Sequence, residues 1–160
     1  MSSIDQFFSA LRNKAGIGID RLPIHLFPSA DSQAFDFVKY VALPAVTAQA
    51  NVVNFTVPDG FNGIIVRLGN VYVGSGFTEG SGALFWQLLD NNTPIANYEN
   101  IPASLGATAN PSQVSSIRIK EGHRIALVVN NASLIVGGAF SGGRLGGWFY
   151  PKDQEPIASV

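Results

Sequence analysis

The chain has 160 residues, a formal net charge of -1 and no cysteine, and 46% of its residues are hydrophobic but only 13% charged. The near-zero net charge argues against a nucleic-acid-binding protein, and the lack of cysteine excludes disulfides, thiolate metal sites and cysteine nucleophiles. So few charges favour a protein that hides part of its surface in an assembly; the alternative is a monomer with a glycine-, serine- and asparagine-rich surface.

The first 33 residues predict a short helix followed by an extended arm. Apolar residues recur at i, i+3, i+4 and i+7 between residues 3 and 13, and Pro23 and Pro28 favour extended backbone in the arm. This apolar face either packs on its own domain or docks on a neighbouring subunit, and the pattern leaves both alternatives open. The expected protein-docking residues are Ile4, Phe7, Phe8, Leu11, Leu22, Ile24, Leu26 and Phe27.

No membrane segment or signal peptide is predicted. No apolar run is long enough to span a bilayer. The basic residues Arg12 and Lys14 follow the first apolar residues rather than precede them, unlike in a secretory signal. The predicted helix also lacks the lysine- and arginine-rich polar face of a membrane-surface helix.

Residues 34–151 predict one β-domain, and residues 152–160 a polar C-terminal tail. Strand signals fall at 34–43, 51–57, 63–73, 83–89, 95–98, 114–119, 125–129, 133–140 and 145–150. A bulge is expected at Gly69-Asn70, and the turn at residues 120–123 predicts an antiparallel hairpin over 114–131. The outgoing run of that hairpin is apolar on both faces, which is typical of a strand covered on both sides.

The succession of short strands and turns predicts an all-β protein with an antiparallel β-sandwich. A jelly roll with eight main strands is the specific prediction, and an immunoglobulin-like sandwich is the alternative. The immunoglobulin alternative lacks its cysteine–tryptophan–cysteine pattern.

No catalytic residue, metal site or cofactor is predicted. A serine–histidine–aspartate site would have to use His25 or His123, and no serine lies in a nucleophile-elbow pattern. Glu79 could converge with Glu99 or Glu121 as a glycosidase pair, but nothing in the spacing favours it. Asp90-Asn91-Asn92 could offer oxygens to calcium, although such residues are ordinary turn formers.

Two tryptophans are candidates for exposed aromatic residues. Neighbouring side chains on a strand point to opposite faces, so one of Phe85 and Trp86 is expected to fill the core and the other to face outward. The same reasoning applies to Trp148 beside Phe149. An outward Trp86 or Trp148 could serve as a sugar-binding platform, whereas core packing is the ordinary role of such residues.

Four segments resemble virion proteins of tailed bacteriophages, in particular small head decoration (cement) proteins with a β-sandwich or jelly-roll body. The segments are VPDGFNGIIVRLGNVYVG (57–74), FWQLLDNNTPIANYEN (85–100), IKEGHRIALVVNN (119–131) and GRLGGWFYP (143–151). The resemblance spans residues 50–151 and lies in the style of the turns and strands, because none of the segments is an active-site signature.

The resemblance implies a non-enzymatic structural protein on the virion surface. Its expected partner is the major capsid protein, and a homo-oligomer is expected, with a trimer favoured and a dimer possible. Nucleic acid and membrane are not expected as partners. The alternatives are another phage structural component, such as a neck, baseplate or fibre protein, or a carbohydrate- or receptor-binding sandwich module.

Overall fold

The computed structural model describes residues 31–78, 81–102, 113–135 and 137–154, and these ranges form two packed antiparallel sheets. A short 3-10 helix (Lys152–Gln154) follows the last strand. The strands are β1 (Gln33–Ala42), β2 (Gln49–Thr56), β3 (Phe61–Val73), β4 (Leu84–Asp90), β5 (Thr93–Pro94), β6 (Ile101–Pro102), β7 (Gln113–Ile119), β8 (Arg124–Asn131) and β9 (Phe140–Pro151).

The strand order confirms the predicted all-β sandwich. The first sheet has the order β1-β9-β3-β7, and the second has the order β2-β8-β4-β5, with β6 also paired to β4. If the strands are lettered B to I along the chain, with β5 and β6 together as F, the two sheets read BIDG and CHEF. This order, in which successive main strands alternate between the facing sheets, is that of a jelly roll.

The core lies between the two sheets and is built from alternating side chains of every long strand. Strand β8 confirms the expected burial on both faces: Ile125, Leu127 and Val129 point into the main core, and Ala126 and Val128 pack with Leu89 on the other face. Burial of both faces explains why this strand has an uninterrupted apolar sequence.

Phenylalanine rings close the sandwich where β1 and β9 meet β2. Phe35 stacks on Phe149 with ring centroids 4.5 Å apart, and Phe37 lies 5.0 Å from Phe55. Offset ring pairs of this kind add to the energy of burial itself. They fix the register of the edge strand β1 against the second sheet.

Three local predictions are wrong. Strands β7 and β8 do not form a hairpin: β7 pairs with β3, and β8 pairs with β2 and β4, so the turn at 120–123 links the two sheets. Residues 133–139 are a loop, and β9 begins at Phe140 and runs through the glycines expected to separate two strands. The bulge of β3 lies between Ile65 and Arg67 and not at Gly69-Asn70.

The predicted return strand at 95–98 is also displaced. The short strands that pair with β4 are Thr93–Pro94 and Ile101–Pro102, while residues 95–98 form a turn closed by the Tyr98 N–H to the Ile95 carbonyl at 2.9 Å. The predicted helix, nearly all of the predicted arm and the tail from residue 155 lie outside the described residues.

Candidate functional site

His123 is the one described residue that could invite a catalytic interpretation, and its contacts are those of a structural link. Its Nδ1 lies 2.8 Å from Oδ1 and 3.0 Å from Oδ2 of Asp90, joining the start of β8 to the end of β4. The described residues show no serine hydroxyl bonded to this pair. Within the same ranges, no three His, Cys, Asp or Glu side chains come together in a way that could hold a metal ion.

The His123–Asp90 pair belongs to a charged end of the sandwich, where the turns at 58–60, 91–92 and 120–123 meet. The Glu121 carboxylate accepts a hydrogen bond from the Gly60 N–H at 2.6 Å and another from Lys152 Nζ at 2.6 Å. The ion pair with Lys152, followed by the Gly60 N–H, lowers the pKa of Glu121. These contacts hold three turns together, as expected for a scaffold and not for a reaction centre.

The opposite end of the sandwich is apolar. There, β1 and β3 end, β9 begins, and the β1–β2 and β8–β9 loops lie side by side through the hydrogen bond from the Leu43 N–H to the Ala139 carbonyl. The described residues include six large hydrophobic side chains with 38% to 86% of their surface exposed, and all six lie here. This apolar end consists of Val38, Tyr40, Val46, Val73, Ile135 and Phe140.

Four of these side chains form a continuous surface on the outer face of the first sheet. Phe140 pairs with Val73 on one side and with Ala42 on the other, and the next row of that face contains Tyr40, Gly142 and Val71. An ideal Cβ at Gly142 would lie 2.8 Å from Tyr40 Cε1 and 2.6 Å from Val71 Cγ1. Because Gly142 has no side chain, the tyrosine ring can lie across β9 and cover Val71.

The apolar end also lacks charge. Lys39 is the one charged residue in 37–49, and there is none in 70–78 or in 131–143. The charged residues of the turns are concentrated instead at the other end of the molecule. A contiguous apolar surface without charge is the usual composition of a protein–protein interface core.

Asn131 supports the two loops of the apolar end from below. Its side chain is 1% exposed, and its Nδ2 donates to the carbonyls of Pro44 and Leu134, each at 2.8 Å. Its Oδ1 accepts from the Leu134 N–H at 2.7 Å. One buried amide therefore positions both the loop that contains Val46 and the loop that contains Ile135.

An ion pair crosses the same outer face next to Val38. Arg144 Nε donates to Asp36 Oδ1 at 2.8 Å, and the hydrogen bond and charge of Arg144 lower the pKa of Asp36. A carboxylate with a lowered folded-state pKa stabilises the fold above its unfolded pKa of about 3.9, and this contribution is lost as the pH falls through the lower folded value.

We therefore expect Asp36→Asn to reduce the loss of stability in acid. The difference between the urea midpoints at pH 6 and at pH 2.5 should be smaller in the variant than in the wild type, because the variant has no carboxylate to protonate at this position. The effect should be modest, since the pair is partly solvated. Asp59→Asn, at a carboxylate outside the described ion pairs, serves as the control; an equal change in both variants would contradict the assignment.

The expectation that Trp86 is exposed is wrong. Trp86 is fully buried at 0% exposure in the main core, while its neighbour Phe85 is half-buried on the other face of β4. The alternation was predicted, but which of the two residues faces inward was not. Trp148 is half-buried on the outer face of the first sheet, where it packs against Ile64, Val66 and Tyr150. A sugar-binding platform would therefore have Trp148 as its one described tryptophan.

The sequence analysis missed the apolar end. The docking residues that it named, from Ile4 to Phe27, lie outside the described residues. One signal was available: Val38 and Tyr40 alternate with Phe35, Phe37 and Val41, so both faces of this strand are apolar although it lies at a sheet edge. The other signal, Phe140, was hidden because its strand was placed at 133–140.

Fold and surface together define a class: a jelly-roll sandwich with a charged, tightly linked end and an apolar, loop-bearing end. In comparisons with family models, curated proteins and solved structures, none matched this chain. Among the described residues there is also no helix with the length and apolarity needed to cross a membrane.

Proposed function

We propose that the protein is a non-enzymatic structural component of a tailed-phage virion that decorates the capsid, with its apolar end docked on the outer surface of the shell. The observation that carries this proposal is the clustering of six exposed hydrophobic side chains at one uncharged end of the sandwich. Surfaces of this kind on a folded domain mark sites of protein association.

The shape of the apolar end suits docking on a protein surface. Tyr40 and Phe140 are both about half-exposed and lie on adjacent rows of the same sheet face. Large aromatic side chains at the centre of an interface supply most of its binding energy. Val46 and Ile135 extend the surface onto the two loops, which Asn131 supports from below.

The resemblance of the segments within residues 50–151 to head decoration proteins supports the choice of partner. The major capsid protein presents the same surface many times, so a decoration protein that forms a symmetric oligomer, with a trimer favoured, can contact several copies at once. Oligomerisation would increase the avidity of a docking surface that is individually small.

Co-sedimentation with capsids tests this function. The purified protein would be titrated against empty capsids assembled from the major capsid protein encoded in the same genome. We expect the wild type to bind and the double variant Tyr40→Ser/Phe140→Ser to bind at least about tenfold more weakly, because two aromatic anchors each contribute on the order of 1 kcal/mol or more.

A matched double variant at the charged end provides the control. Asp59→Ser/Lys120→Ser changes two exposed residues of the opposite turns and should bind capsids like the wild type. Failure of the wild type to bind capsids would contradict the proposed function. Equal binding by both double variants would keep the partner but show that the apolar end is not the docking surface.

A further inference from the structure

A second apolar cluster lies on the outer face of the first sheet, at the end of the sheet away from the apolar end. This outer cluster consists of Ile64, Val66, Trp148 and Tyr150. Its members point away from the main core, since their chain neighbours Ile65 and Phe149 point into it. The apolar neighbours described for the cluster are its own members.

The outer cluster is nevertheless buried. Tyr150 is 1% exposed, Ile64 is 5% and Val66 is 7%, values that match the interior between the sheets. By contrast, Val38 and Phe140, on the same outer face, are each nearly half-exposed. A face of a sheet reaches such burial only when another part of a protein packs on it.

We propose that residues 1–30 of the same chain cover the outer cluster. The described chain begins at Asp31, immediately before β1, and Ala34 lies in the same row as Trp148 and Ile64. The N-terminal segment therefore enters the fold beside the outer cluster. The twenty residues between Leu11 and Asp31 can span up to about 66 Å if extended, which is far more than the distance across one sheet.

Composition distinguishes this segment from the other two stretches outside the described residues. Residues 1–30 contain an apolar helical face with two phenylalanines, followed by Leu22, Ile24, Leu26 and Phe27. Residues 103–112 contain one large apolar residue, Leu105, and residues 155–160 contain Ile157 and Val160. Only the N-terminal segment has the aromatic and branched side chains needed to cover a tryptophan, a tyrosine and two β-branched residues.

The inference decides between the two occupants that the sequence leaves open for the helix face. Phe7 and Phe8 pack on their own sandwich, and they are not available to the capsid. The apolar end then remains as the surface for a partner. The inference stands on the burial of the outer cluster and does not depend on capsid binding.

Trp148 reports on this contact in the full chain. Of the two tryptophans, Trp86 is fully buried, so acrylamide quenches mainly Trp148, which belongs to the outer cluster. We expect Phe7→Ser/Phe8→Ser to raise the quenching constant roughly twofold or more and to shift the emission to longer wavelength, as an indole does when it becomes solvent-facing. The same variant should also unfold at a lower urea concentration.

The control is Gln6→Ser/Arg12→Ser, a double change on the polar side of the predicted helix, which should leave Trp148 unchanged. Equal quenching in the wild type and in both double variants would overturn the proposal. Exposure of Trp148 by Leu105→Ser or Ile157→Ser, and not by the phenylalanine variant, would assign the cover to another segment. Quenching that falls as protein concentration rises would overturn the same-chain assignment, because a second copy would then supply the cover.

Discussion

Gly147→Ala is expected to destabilise the protein by about 3 kcal/mol, the largest single effect that the structure predicts. Gly147 lies in β9 between Phe35 of β1 and Ile65 of β3, where the bulge of β3 brings the backbone unusually close. An ideal Cβ at Gly147 would overlap the carbonyl oxygen of Ile64. Neither backbone can move away without breaking the hydrogen bonds of a central strand, so the strain cannot relax locally.

The neighbouring glycine provides the control. At Gly146, an ideal Cβ would have as its nearest neighbour Asp36 Oδ1 at 3.2 Å, the end of an exposed and movable side chain. Gly146→Ala should therefore remain within about 1 kcal/mol of the wild type. Urea denaturation of both variants, followed by circular dichroism, measures the difference. A Gly147→Ala protein as stable as Gly146→Ala would show that the β3 bulge does not approach β9 this closely.

Asn131→Leu is the second large effect, with an expected loss of about 3 kcal/mol. The substitution keeps the volume of the side chain but removes the amide that satisfies the Pro44 carbonyl and both backbone groups of Leu134. These three groups would lose their partner in a site where Asn131 is 1% exposed. A buried backbone group without a partner costs more than the bond itself contributes.

Asn130 is the matched control, because it is the same residue type one position earlier. Its side chain is half-buried on the other face of β8 and donates one hydrogen bond, to Gln87 Oε1 at 3.1 Å. Asn130→Leu should cost less than about 1 kcal/mol, since water can replace that bond. Equal losses of unfolding free energy in the two variants would contradict the central role assigned to Asn131.

The second substitution also has a functional consequence. Asn131 joins the loops that contain Val46 and Ile135, so its loss should loosen the apolar end even in the folded protein. Hydrogen exchange would show this as faster exchange in the β1–β2 and β8–β9 loops than in the charged-end turns. Gly147→Ala, at a site among the sheet contacts, should not produce this selective effect in its folded fraction.

The sequence alone was sufficient for the fold class and for most strand positions. Alternation in β1, β3 and β4, and the two-sided apolar run of β8, indicate a sandwich because each strand must bury one or both faces. Turn residues placed the chain reversals at 58–60 and 120–123 close to where they occur. These features are local, and each is determined by side chains within a few positions of one another.

Pairing partners were not predictable in the same way. The reversal at 120–123 reads as a hairpin, yet β7 and β8 belong to different sheets. The period-two pattern states which faces are apolar, but the hydrogen-bonding edges of a strand contain no residue-specific signal. Competition among all strands for the same edges decides the pairing, and this competition involves residues far apart in sequence.

The candidate site shows the same division. Composition determined that this protein has few charges, no thiol chemistry and much apolar surface to hide, whatever its topology. Only the tertiary structure decided that Trp86 and not Phe85 faces the core, and that exposed apolar residues from three strands and two loops meet at one end. The physical reason is that burial depends on which sheet covers a residue, and this cover is supplied by segments that are distant in the chain.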